Sequence, residues 1–164
     1  MWEHNSHIGD AAATEMSSRG QLNLGQLCRE RFGRLCYKVG FGTDHGSVAA
    51  ASEWGGPVEV KRVLPARADS YERICHQSEL ASFLLPLREA SRASVRDALL
   101  EPRLERAIGV LYLPESELSS HYFHASLPRQ FDEYLWIDET RALEPLPGPA
   151  ARGLDLPETY PFGL

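Results

Sequence analysis

Residues 23–42 read NLGQLCRERFGRLCYKVGFG, and this stretch decides the fold class. Asn23 stands before an apolar-periodic run with Gln26 following it, a capping box that opens a helix over Leu24 to Phe32. Leu24, Leu27, Cys28 and Phe32 fall on one face of that helix, and Gly33 suits the left-handed stop. LCYKVGFG (35–42) follows directly and reads as a short strand closing on a glycine turn. A helix feeding a strand in this way is a building unit of a layered α/β domain.

Working outward, SVAAAS (47–52) and PVEVKRV (57–63) flank EWGG (53–56), a pattern that predicts a hairpin or two short strands around a tight turn. Asp69 and Glu72 form a second capping box, predicting a helix to about Gln77, and Ser94 with Asp97 suggest another short one. AIGVLYL (107–113) is a continuous apolar run, as in a strand buried on both faces of a parallel sheet. Ser126 to Glu133 reads as a helix leading into a further buried strand, YLWID (134–138). The expected fold is therefore α/β, with a central, mostly parallel sheet flanked by helices. MWEHNSHIGD (1–10) begins where a strand should already have ended, and its polar residues sit where open α/β sheets place their active-site loops. The expectation is an incomplete domain over residues 1–146, followed by a proline-rich tail over 147–164.

The 164 residues suffice for one domain with a real core. A net charge of −6 argues against a nucleic-acid partner, and no run of apolar residues is long enough for a transmembrane helix. No basic-then-apolar leader is visible, and the odd set Cys28, Cys36 and Cys75 suits a reducing compartment. The expected location is the cytoplasm, with no membrane partner.

The chemistry concentrates in His4, Asn5 and His7, an HNxH group followed by Asp10. Paired histidines titrate near neutrality, so one can act as base while the other donates or orients, and Asn5 can orient a ring or donate to an oxyanion. The same residues can alternatively be read as metal ligands, with Asp10 as the carboxylate, or as a solvated terminal segment. In SHYFH (120–124), His124 reads as a surface histidine, whereas His121 stays open as a site residue. Thr43, after the strand ending in Phe41-Gly42, can line a site at the sheet's carboxyl edge. Trp54 is either a pocket wall or, preferably, a turn tryptophan packed on the sheet. Gly40 and Gly42 lack the context of a nucleotide loop, and no GxSxG elbow supports a serine nucleophile.

Taken together, WEHNSHIGDAAATEM (2–16), LNLGQLCRERFG (22–33), VGFGTDHGSVAAASEWGGPVEV (39–60), PRLERAIGVLY (102–112) and SHYFHASLPRQFDEYLWIDETRALEPL (120–146) resemble the erythromycin esterase family. The resemblance implies an α/β hydrolase of carboxylic esters, best known for opening macrolide lactones and so for antibiotic resistance. By this resemblance water is activated by histidine and glutamate, without a cofactor. It makes His7 and His4 the catalytic candidates, the first for proton transfer and the second as orienting partner. Asn5, Thr43, Trp54 and His121 are the candidate substrate contacts. The family's earlier motif, a Gly-Glu followed shortly by Ser-His-Gly, is not found in this sequence. The expectation is thus a C-terminal portion, inactive alone, whose partners are a small-molecule ester and either a chain supplying the N-terminal half or a second copy. The alternatives are a non-catalytic binding or scaffold module, and a metal-dependent hydrolase built on His4, His7 and Asp10.

Overall fold

The structure, a computed structural model, describes residues 1–88 and 93–144. The tail expected over 147–164 lies outside the described residues. In chain order the elements are α1 (Asn5–Ile8), α2 (Leu24–Phe32), β1 (Val39–Gly42), β2 (His45–Ala50), β3 (Glu59–Val63), α3 (Tyr71–His76) and β4 (Ser82–Pro86). They continue with α4 (Ala93–Ala98), β5 (Arg103–Arg106), α5 (Glu117–His121), β6 (Tyr122–Ala125), α6 (Leu127–Gln130), β7 (Glu133–Ile137) and β8 (Glu139–Thr140). Among the described residues no helix is long and apolar enough to cross a membrane.

The strands form two small mixed sheets, ordered β1-β7-β4 and β3-β2-β8, and an antiparallel pair, β5-β6. The central sheet is mixed rather than mostly parallel as expected: β1 and β7 run parallel, from Val39 opposite Glu133 to Gly42 opposite Trp136, and β4 closes the other side of β7 antiparallel. Alternation along β7 buries Tyr134 and Trp136. They join Tyr71, Leu87, Leu127 and Phe131 in the core, with Ile8 and Phe83 packed against it. The hairpin expected around EWGG is β2–β3, antiparallel from Gly46 opposite Val63 to Ala50 opposite Glu59. Gly55 holds the turn at φ +74°, a conformation costly for other residues.

The apolar run 107–113 does not form the expected strand; it meets the β2–β3 hairpin through an isolated bridge from Leu111 to Ala51 and a hydrogen bond from Lys61 Nζ to the Tyr112 carbonyl. Its backbone is engaged elsewhere: Ala107 N–H donates to the His121 carbonyl, and the Ile108 carbonyl receives the His4 ring. The strand is the preceding charged segment RLER, β5, paired antiparallel with β6. Its Glu105 and Arg106 are buried, which no hydrophobic pattern reveals.

Helix α2 occupies its expected span, but the apolar face does not enter the core: Leu27 and Phe32 are 46% and 55% exposed. The helix docks instead through Gly25, where a Cβ would lie 2.1 Å from the Gly9 carbonyl and 2.2 Å from that of Ile8. Asn23 fixes this docking. Its Oδ1 accepts from Gln26 N–H at 2.8 Å, and its Nδ2 donates to the carbonyls of Ser6 and Gly9, each at 2.8 Å. Asn23→Ala is expected to destabilise the protein by roughly 2–3 kcal/mol, a lost cap plus orphaned carbonyls. Asn23→Asp, which keeps the cap but not the donors, should fall between; urea unfolding of both variants checks the order.

Candidate active site around the HNxH turn

HNSHIGD was expected in a loop, and it folds into a one-turn helix capped by its own first histidine. His4 Nδ1 accepts from Ser6 N–H at 3.3 Å and lies 2.8 Å from Ser6 Oγ. That assignment leaves Nε2 protonated, donating to the Ile108 carbonyl at 2.9 Å. Burial is the main cause that lowers the His4 pKa, with His7 and His121 adding to it against the Ile108 hydrogen bond. His4 is therefore a neutral, fixed ring at neutral pH. Asn5 sits buried behind it, donating from Nδ2 to the Phe41 carbonyl at 2.6 Å and accepting from Phe41 N–H at 3.1 Å. This two-point clamp fastens α1 to the outer edge of β1 and commits both ends of the amide. Trp2 packs over the same residue, its ring 5.3 Å from that of Phe41.

His7 is the free member. Its side chain is 64% exposed, its Nδ1 lies 3.6 Å from Glu3 Oε2, and its ring stands 6.1 Å from that of His4. A carboxylate beside an accessible imidazole can hold the ring's orientation and stabilise the imidazolium that proton transfer creates. Two hollows on the surface, lined by Arg67 with residues 114–119 and by Arg29, Arg34, Arg88 and neighbours, do not include His4 or His7.

The remaining predicted site residues are not brought together with His7. Asp10 is drawn away into the interior, its Oδ1 capping Ala12 N–H at 3.2 Å and its Oδ2 3.5 Å from Lys38 Nζ. That arrangement does not support a metal held by His4, His7 and Asp10. His121 is buried, accepts from Leu113 N–H at 2.8 Å and lies 3.2 Å from the Ala107 carbonyl, so it shapes the loop that receives His4. Trp54 is 74% exposed at the hairpin turn, neither walling a hollow nor packed on the sheet as preferred from sequence. Thr43 Oγ1 lies 3.2 Å from the carbonyls of both His45 and Asp138, at the carboxyl ends of β1 and β7. His124 is exposed beside Glu15, as read from the sequence.

The sequence profile of the erythromycin esterase family matches residues 1–140. The chain belongs to the erythromycin esterase family. Among solved structures it is similar to a succinoglycan biosynthesis protein, with 23% identity, a TM-score of 0.66, and coverage of 85% of this chain and 32% of that one. A protein from Bacillus cereus is similar at 21% identity and a TM-score of 0.71, over 85% of this chain and 33% of that one. These likenesses establish the fold, and the chain spans about a third of the length of either protein.

In its interior this esterase-family chain holds a carboxyl pair that the sequence reading missed. Glu72 Oε1 accepts from Arg106 N–H at 2.8 Å, and burial pushes its pKa up to about 6. Glu105 is fully buried, its oxygens have no hydrogen-bond partner among the described residues, and burial raises its pKa well above the carboxylate range, with Glu72 adding to the rise. The folded state therefore keeps a proton that the unfolded chain releases above about pH 4.5, and stability falls as pH rises past that value. Glu105→Gln removes this loss. Its stability advantage over wild type is expected to grow as pH rises above about 4.5, read from urea midpoints along a pH series.

Proposed function

We propose that this chain carries the second-histidine portion of a carboxylic ester hydrolase, with macrolide lactones as the first substrate class to test. The observation that supports it is the division of labour within HNxH: a ring fixed by Ser6 and Ile108, beside an accessible one with its own carboxylate. His7 takes the proton from a water whose oxygen attacks the ester carbonyl carbon. The tetrahedral adduct then expels the alcohol, which receives that proton back, leaving a carboxylic acid that gives up its proton to solvent. Glu3 orients His7, while His4 and Asn5 position the turn. A serine nucleophile has no role.

We further propose that the centre is completed by a polypeptide supplying the Gly-Glu and Ser-His-Gly stretch, and that this chain alone is inactive. Coverage of about a third of its structural relatives supports this reading, as do the open setting of His7 and the uncovered apolar face of α2. Added strands would extend the parallel β1–β7 pair at the β1 edge ahead of Phe41, whose outer backbone groups Asn5 already holds. A cytoplasmic setting fits three free cysteines, one of them buried.

The test is a panel of macrolide lactones and simple carboxylic esters. They are incubated with this chain together with the upstream portion of the Bacillus cereus relative, and products are read by mass spectrometry. Gain of one water by at least one substrate is expected. If all stay intact while the two polypeptides associate, the hydrolase reading falls and the scaffold reading replaces it.

A further inference from the structure

At the carboxyl ends of the parallel strands β1 and β7, a second group of histidines and carboxylates comes together from three separate segments. Asp44 and His45 lie at the β1–β2 junction, His76 ends α3, and Asp138 follows β7. The backbone ties them: Asp44 N–H and His45 N–H both donate to the Asp138 carbonyl, at 3.1 and 3.2 Å. Asp44 is 2% exposed, and its two oxygens differ. Oδ1 faces Ala66 N–H at 3.3 Å and the Arg73 guanidinium at 3.5 Å. Oδ2 faces two imidazoles at once, His45 Nδ1 at 3.1 Å and His76 Nδ1 at 3.8 Å, with the rings perpendicular and 6.0 Å apart. One ligand atom from each of the three residues lies within 4.8 Å of the others.

We propose that Asp44, His45 and His76 bind one divalent cation of the zinc class, with Asp138 beside them as a partner of His76. Ligands about 2.0–2.1 Å from a tetrahedral metal stand about 3.3 Å from one another, the spacing bracketed by the two Asp44 contacts. Two imidazoles and a carboxylate form a borderline N/O set that suits zinc rather than calcium or magnesium. Arg73 and Ala66 N–H hold the carboxylate oxygen that the ion leaves free, as outer partners of metal ligands do. Asp138 Oδ1 lies 2.7 Å from His76 Nδ1, a contact that fixes the ring beside the other two ligands. The two rings are partly exposed, which leaves an entry path for the ion. The site is distinct from the HNxH turn, and its occupation does not depend on ester hydrolysis.

The experiment titrates Co²⁺ into the chelator-stripped chain and follows the visible bands of tetrahedral cobalt, then displaces it with Zn²⁺. One equivalent is expected. Asp138→Asn should weaken binding by roughly 10–100-fold, and His45→Ala or His76→Ala by at least as much. His124→Ala, at an exposed histidine outside the group, should bind as wild type. Circular dichroism confirms that each variant folds. Independently of any variant, Zn²⁺ should shift the ring resonances of His45 and His76 in the wild-type chain and leave those of His7 in place. Absence of stoichiometric binding, wild-type affinity in both His45→Ala and His76→Ala, or Zn²⁺ shifts confined to other histidines would overturn the assignment.

Discussion

Arg106→Met is expected to cost about 3–5 kcal/mol of folding stability, the scale of breaking a buried ion pair from one side. The Arg106 side chain is 2% exposed and ties together segments distant in sequence. Nη1 donates to the Leu64 carbonyl at 2.8 Å and to Glu117 Oε1 at 3.1 Å. Nη2 donates to the carbonyls of Thr43 and Asp44, at 2.8 and 2.6 Å. Methionine fills comparable volume without a donor, so three carbonyls lose a partner and the buried Glu117 keeps only the Tyr112 hydroxyl, at 2.8 Å. Most of the penalty is the stranded carboxylate. Adding Glu117→Gln to Arg106→Met should therefore recover part of the loss, which urea denaturation of the two variants will show. A cost under about 1 kcal/mol would mean that water replaces the guanidinium, contrary to its burial.

His7→Ala should lower kcat for ester hydrolysis by the completed enzyme by roughly 10²–10⁴-fold, the range for removing a positioned general base. Its exposure makes the same substitution nearly neutral for folding, within about 0.5 kcal/mol. Glu3→Gln keeps the imidazole and removes only its carboxylate neighbour, so a smaller loss is expected. His4→Ala should behave differently, since it removes both the cap of α1 and the tether to Ile108. Lost activity is then accompanied by lost stability. Steady-state kinetics beside thermal unfolding separates the two patterns.

Much of the fold was legible where local chemistry decides it. Asn23 caps α2 as the capping rules require, while Gly33 ends it at φ +52° and ψ −125°, not in the expected left-handed helical conformation; the glycine turn after Trp54 makes the β2–β3 hairpin, and the apolar YLWI becomes β7. The helix expected from the Asp69–Glu72 box forms with a shifted cap. Ser70 accepts from Arg73 N–H, while Asp69 pairs with Arg67 at 3.1 Å. The helix expected over 126–133 is shorter, α6, because Glu133 already belongs to β7. What the sequence hid depends on distant partners. RLER is a strand only because Glu72, Glu117 and the carbonyls of Thr43, Asp44 and Leu64 receive Arg106. The apolar run after it gives up its ladder to hold His4 and His121. SFLLP was passed over, and its role as β4 follows from pairing with β7, which is remote in sequence.

The candidate site was legible in its core and not around it. HNxH is a local pattern, so His4 and His7 were found together. Asn5 looked like a substrate donor because its partner, the Phe41 backbone, is remote in sequence. Trp54 and His121 were judged by residue type, and exposure separates the first from any pocket while burial commits the second to a loop. His45 and His76 gave no signal because 31 positions separate them and a helix end aims one at the other.

The most direct measurement is the rate of hydrolysis of a simple carboxylic ester by this chain alone, by the upstream portion of a family relative alone, and by the two mixed. The account predicts background rates for each polypeptide by itself and turnover for the mixture that disappears with His7→Ala. Turnover by this chain alone that His7→Ala abolishes would contradict a shared centre, and turnover by the mixture that survives His7→Ala would remove His7 from the chemistry.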